Sequence, residues 1–427
     1  MKIIADFHLH SKYSRATSRD MDLEHIFQAA QEKGINVVGT GDFTHPEWFK
    51  ELKDKLEPVE EGLYKLKSKN EKIKNNIRNE KTENKIRFVI TGEISNIYTR
   101  NGRGRRVHNL VILPSLEAAE KIANRLSWQG NIKSDGRPIL GMDSEELLEI
   151  ITEVEPRSLF VPAHIWTPWF GVLGSMSGFD SLEEAFGNNV KYLAALETGL
   201  SSDPLMNWRL SALDRFALIS NSDAHSPRNL GREANVFDTE FSYPAISKAI
   251  KEKNLQEFLF TIEFFPEEGK YHYDGHRLCK VRMSPQETKK TKGICPQCGR
   301  NLTVGVLSRV EQLADRATGF KSQDAIPYKS LVPLTEIIAE ALGVQSQTKT
   351  VAEQYQKLIS QFSNEFTVLL DASLDELRTV VSSEIVKGIE KVRKGDLIIE
   401  PGYDGEYGKI KIFGEKNRMT KSQSQLF

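Results

Sequence analysis

Nine residues of metal-ligating type stand at the polar ends of apolar runs in the first half of the chain: His8, His10, Asp42, His45, Glu93, His108, His164, Asp223 and His225. In the opening stretch "KIIADFHLH", extended alternation sends His8 and His10 to the same side of the backbone. Imidazoles converging in one mouth repel when protonated and cost desolvation when buried, unless a cation takes their lone pairs. Mixed imidazole and carboxylate ligation suits zinc, manganese or iron, and nine ligands are too many for one tetrahedral ion, so two or three ions are implied. Clustered ions activate water and neutralise charge on the attacking and leaving oxygens, which is the chemistry a phosphoester needs. Glu197, in "LETGLSSD", is a further carboxylate at a strand end. It reads either as an orienting partner for the ligands or as an ordinary capping or salt-bridged glutamate.

A second constellation lies in "GHRLC…CPQC", where His276 and Cys279 are spaced H-x2-C and Cys295 and Cys298 C-x2-C. Two chelating pairs joined by a loop make a closed, tetrahedral structural zinc site, with His272 as the substitute for His276. The intervening "KKTKG" suits contact with a phosphate backbone. Arg100, Arg103, Arg105 and Arg106 form a cationic loop just before His108, read as a DNA-binding element or as a solvated loop. Trp166, Trp169 and Phe170 follow His164 and could stack an extruded base or fill the core.

The elements that must position these residues follow from the apolar pattern. "IIADFHLH", "INVVGTGD", "IRFVITGE", "VHNLVILP", "LFVPAHIW", "LAALETGL" and "FALISNSDAH" are near-continuous hydrophobic runs, separated in part by amphipathic stretches such as "MDLEHIFQAAQEKG". That rhythm predicts an α/β fold with a parallel sheet, closed as a distorted β/α barrel with its chemistry at the strand C-termini. The barrel is expected over residues 1–265, a zinc module over 266–305, a helical and C-terminal segment with a small β element over 306–414, and a tail over 415–427. The charged run at 50–86 reads as helix with a frayed loop. A net charge of −1 excludes a histone-like polycation, and no apolar run is long enough to span a membrane. The three cysteines and the absence of a signal-like N-terminus predict a cytoplasmic, nucleoid-associated protein.

"DFHLH", "GTGDFTH", "TGE", "AH" and "SNSDAH" resemble the motifs of the PHP (polymerase and histidinol phosphatase) family over about residues 1–235. The resemblance implies a distorted β/α, TIM-like barrel with a trinuclear metal site that hydrolyses phosphoesters. It places one ion on His8, His10, Glu93 and Asp223, and a second on Glu93, His108 and His164. A third would be held by His225 with Asp42 or His45. The final "QSQLF" (Gln423, Leu426, Phe427) resembles the short peptide that binds the bacterial sliding clamp. Barrel, zinc module, "IEPGYDGEYGKIKIF" and tail together resemble the endonuclease Q family, of bacterial type, across essentially the whole chain.

That resemblance implies a metal-dependent endonuclease nicking double- or single-stranded DNA 5′ of deaminated bases (hypoxanthine, uracil, xanthine) and abasic sites. Catalysis would centre on His8, Glu93, Glu197 and Asp223, with two or three zinc, manganese or magnesium ions in the barrel and one structural zinc. A flipped base would be received near Trp166 and Trp169. The competing readings are a PHP phosphatase acting on a small phosphomonoester and a non-catalytic clamp-associated scaffold.

Overall fold

The computed structural model describes residues 1–69, 73–74 and 85–414. Its centre is a ring of strands. The first, Lys2–Asp6, runs parallel to Val37–Gly39, which runs parallel to Arg87–Arg100. That long strand turns back antiparallel into Arg103–Leu113, whose far edge pairs antiparallel with Leu159–Pro162. Ala194 N then donates to Phe160 O, leading into Leu196–Glu197, which pairs parallel with Leu218–Ile219. A parallel bridge between Leu9 and Ala224 returns to the first strand and closes a distorted barrel.

Alternation builds its two layers. Ile3, Ala5, Phe7, Leu110, Ile112, Leu159, Val161 and Ala163 face inward as one apolar cluster. Their neighbours Ile4, Val111, Leu113 and Phe160 face outward under the helices. The helix Leu23–Lys33 illustrates the cover: the Asp22 side chain caps its first turn, Gly34 ends it at φ 90°, and Leu23, Ile26, Phe27 and Ala30 are buried.

The all-parallel expectation is corrected. Asn101 (φ 55°) and Gly102 (φ 70°) make a two-residue hairpin turn, and so short a connection permits only antiparallel pairing. The "TRNGRGRRVHN" stretch is therefore two strand ends and a tight turn, not a loop. Strands Ala234–Asp238 and Phe258–Glu263 extend the sheet antiparallel beside the first strand. Within the segment read as helical, Tyr328–Ser330 pairs with Phe258–Glu263 and so joins the barrel sheet. In the charged run, Pro46–Lys55 is helical, Leu56–Pro58 pairs with Tyr64–Leu66, and residues 70–72 and 75–84 lie outside the described residues.

Beyond the barrel, the hairpin Asp274–His276 and Val281–Met283 begins the cysteine-bearing module. Helices Leu334–Leu342, Lys349–Phe362 and Ser383–Lys394 follow. The first two are locked to the barrel through buried Glu365, which accepts from Lys33 Nζ (2.7 Å), Tyr355 Oη (2.9 Å) and Leu334 N (3.0 Å). The last hairpin, Ile398–Glu400 with Lys409–Lys411, lays its connecting loop on the cysteine module: Tyr273 N donates to Gly402 O and Arg277 N to Asp404.

Candidate metal centre

His8 and His10 follow the first strand, separated by Leu9, whose bridge to Ala224 brings Asp223 alongside. Each imidazole is gripped from behind by a buried carboxylate. His8 Nδ1 lies 3.0 Å from both oxygens of Glu197, and His10 Nδ1 lies 3.1 Å from Asp42 Oδ1. A carboxylate on Nδ1 fixes the hydrogen there and leaves the Nε2 lone pair for the centre. Glu197 also accepts from Asn221 Nδ2 (2.9 Å) and His164 N (2.8 Å). Asp42 also accepts from Ser11 N (2.7 Å), Ser11 Oγ (2.6 Å) and Ser14 Oγ (2.9 Å).

The freed atoms converge. His8 Nε2, His10 Nε2 and Asp223 Oδ1 are buried without a hydrogen-bond partner. Those three residues form one trio whose donor atoms lie within 4.8 Å of one another, and Glu93, His108 and His164 form a second. Glu93 joins them: its Oε1 is 2.7 Å from His108 Nδ1 and 2.9 Å from His164 Nε2, while its Oε2 is 3.3 Å from His10 Nε2. Orphaned imidazole nitrogens facing carboxylates fit a pair of divalent cations, and no comparable use for them exists in a dry core.

The electrostatics agree. Burial alone would raise the Glu93 carboxyl, yet His108, Arg137 and His8 hold it well below the usual range. Burial likewise opposes the charge on Asp223, and His10 and His8 override it. Burial disfavours charged imidazoles too, but Glu197 and Glu93 raise His8, and Asp223, Asp42 and Glu93 raise His10. Burial pushes His108 down to about 4. The carboxylates thus demand positive charge in the space between the rings, which is what a cation site requires. Asp42 (φ 52°), His164 (φ 30°) and Asp223 (φ 47°) are held in the left-handed region, strain that the surrounding packing sustains at the centre.

The remaining residues fall elsewhere. Among the described residues Asp42, His45 and His225 do not gather into a third trio. Asp42 is occupied by His10 and two serines, the His45 ring stacks on Tyr13 at 4.5 Å, and the His225 ring lies 4.5 Å from that of His10. Glu197 touches His8 rather than the open side of the centre, so it is a positioning residue.

Trp166 is corrected outright. It is fully buried and its Nε1 donates to Asn207 Oδ1 at 2.8 Å, so it cannot meet a base. Trp169 is 42% exposed with the Arg106 guanidinium 5.4 Å from its ring centre. Arg105 is also turned inward, its guanidinium 4.0 Å from the Phe179 ring centre, and Arg100 binds Glu145 and Ala185 O. Arg103 and Arg106 remain exposed.

In the cysteine module His276, Cys279, Cys295 and Cys298 bring their donor atoms within 4.8 Å of one another. His272 is buried apart from them. The clamp-type residues Gln423, Leu426 and Phe427 lie outside the described residues. Sequence reading missed Arg137, which reaches Glu93 Oε2 at 2.8 Å. It also missed Asp6, which accepts from Ser222 N and Gly231 N and so pins the stretch bearing Asp223. The only available signal was a charged residue inside an apolar strand for Asp6, and Gly-Arg-Pro in a polar loop for Arg137.

Comparison with known proteins follows the same outline. The lesion-specific endonuclease PfuEndoQ from Pyrococcus furiosus aligns with a TM-score of 0.83 and 33% identity, over 96% of this chain and 95% of that chain. An endonuclease Q bound to a 27-mer duplex substrate with an abasic lesion at the active site aligns with a TM-score of 0.82 and 32% identity, over 100% of both. An uncharacterized protein of Methanocaldococcus jannaschii, MJ0043, is 34% identical across 64% of this chain; the match spans only 35% of that protein's length. YqxK of Bacillus subtilis, also uncharacterized, is 28% identical over 96% of this chain and 99% of its own. Residues 333–396 match the MJ0043 C-terminal domain family.

Proposed function

Because the chain belongs to the endonuclease Q family, we propose that it is a metal-dependent DNA endonuclease that nicks a strand 5′ of deaminated bases (hypoxanthine, uracil, xanthine) and abasic sites. The observation that carries this reading is the pair of adjoining trios that Glu93 links, set in a chain that follows a lesion-specific endonuclease over nearly its whole length. His8, His10, Asp223, Glu93, His108 and His164 would hold the ions. Bound divalent ions supply Lewis-acid activation of water and neutralise charge on the phosphate oxygens.

The protein's own residues do the rest. Glu197 and Asp42 fix the ring orientation and tautomer of His8 and His10, so no reorganisation is needed at the moment of reaction. Asp223, with a side chain 27% exposed beside the fully buried Glu93, marks the side from which a phosphate enters. Trp169 with Arg106 offers an aromatic face and a cation to an unstacked nucleotide, and weak pairing at a deaminated or abasic position makes extrusion cheaper. His276, Cys279, Cys295 and Cys298 would hold a structural zinc that shapes a basic module against the duplex. Gln423, Leu426 and Phe427 would dock on a bacterial sliding clamp.

The test uses end-labelled duplexes with one deoxyinosine, one deoxyuridine, one abasic site or no lesion, with magnesium or manganese added. A single nick 5′ of the lesion, absent from the undamaged strand, is expected. Turnover of small phosphomonoesters without nicking would overturn the reading.

A further inference from the structure

We propose that Arg137 is a catalytic residue that grips the non-bridging oxygens of the scissile phosphate; this rests on the phosphodiesterase reading above. The loop over residues 127–138 crosses the barrel mouth and is pinned to three neighbouring segments. Gly136 N donates to Tyr13 O, Thr44 Oγ1 to Gly136 O, and Ser95 N to Pro138 O. A Cβ on Gly136 would sit 2.2 Å from Asp42 Oδ2, so only glycine lets the loop come this close to the ligand supports. The residue that follows is thereby delivered to the centre. Arg137 Nη1 lies 2.8 Å from Glu93 Oε2, and its side chain is 27% exposed where that of Glu93 is wholly buried.

A guanidinium touching the carboxylate shared by two cation sites needs a reason, because divalent ions repel it. Charge balance supplies one. Two divalent ions would be matched by the four carboxylates of the centre, Glu93, Asp223, Asp42 and Glu197. The Arg137 charge is then the surplus, and one phosphodiester anion cancels it. Asp135 does not serve that purpose, since its side chain bonds the Arg15 guanidinium and accepts from the backbone N–H groups of Arg15 and Arg137. The planar fork of arginine matches two phosphate oxygens, and the open side of the mouth is where it can meet them.

The alternative is that Arg137 only props Glu93. Two abasic duplexes separate these roles. One carries a bridging methylene phosphonate at the cleaved bond, which keeps the charge but resists cleavage there, and the other an uncharged methylphosphonate. Wild-type protein should prefer the charged duplex by about ten- to hundredfold in Kd. R137A should lose most of that preference, retaining only what the barrel ions supply, with barrel metal content by mass spectrometry equal to wild type, and R137K should keep more of the preference than R137A. An R137A protein with the full wild-type preference, or with its barrel ions lost, would overturn the proposal. If R137A fails to fold, R137K and R137Q carry the same comparison. Wild-type protein that neither prefers the charged duplex nor nicks the natural abasic strand would sink the endonuclease reading itself, and this proposal with it. Nicking without any preference would sink only this proposal.

Discussion

Among the described residues, the metal-ligating side chains of the barrel and those of the cysteine module are built on opposite plans. In the barrel, ligands come from residues as far apart as His8 and Asp223, are almost wholly buried, and are backed by further carboxylates and left-handed backbone. In the cysteine module, the ligands span only His276 to Cys298, on a hairpin and two turns, with Cys298 exposed. The second plan offers four protein donors, the full set of a closed structural site; the first offers only three in each trio. An incomplete set is useful only where substrate and water complete it. Elaborate support therefore marks the reactive centre, and local chelation marks the brace.

Asp223→Ala strikes that contrast hardest. Nicking should fall by roughly a thousandfold or more while DNA binding survives. Binding lost along with activity would mean that the barrel cluster is itself only a brace. Glu197→Gln comes next: the His8 support weakens, barrel metal affinity drops about 10- to 100-fold, and added metal restores turnover. A turnover defect that excess metal leaves untouched would break the idea that Glu197 acts through His8. Cys279→Ser should loosen the module and raise the Kd for DNA about tenfold, with barrel ions retained in elemental analysis. If the barrel ions leave as well, the two centres are one cooperative unit and the contrast fails.

The smallest effect on turnover is expected at Glu263, at the end of the strand that joins barrel and module. Burial pushes its carboxyl up to about 8 and Asp203 adds to this, against hydrogen bonds from Thr261, Ser220 and Thr198. The folded state therefore holds a proton that the unfolded chain releases near 4.5, so stability falls as pH rises between these values. The loss is at most about 1.4 kcal/mol per pH unit. Glu233 and Glu268 are raised in the same way, so Glu263→Gln should lessen the fall in thermal stability between pH 5 and 8 by about one proton's share; an unchanged profile would place the titration elsewhere.

Much of the centre was legible because each ligand ends an apolar run, and a strand end at a barrel mouth has few other uses for an imidazole. The supports were less so. Whether Asp42 touches an ion or a histidine depends on Ser11 and Ser14, which claim one of its oxygens. Trp166 and Trp169 are three positions apart in one aromatic stretch, and only tertiary packing buries the first and exposes the second. Arg105 and Arg106 diverge because strand alternation sets them on opposite faces, the first buried against Phe179 and the second exposed. Asn101-Gly102 spells the hairpin turn, and the basic residues on either side of it give a charge pattern that a loop and two strand ends share. Arg137 comes to Glu93 through a turn with no periodicity, so no pattern announced it.

The pairing of His8 with Glu197 spans 189 positions, and Phe7 N reaches Asn221 across 214. On a ribosome adding roughly 5–20 residues per second, the chelating histidines emerge about 10–40 s before the carboxylate that orients them. The opening strand also waits for residues 234–238 before its antiparallel edge is covered. A nascent or prematurely terminated chain thus carries ligands without a centre. Synthesis itself acts as a safety catch, arming the protein only after more than half of it has been made.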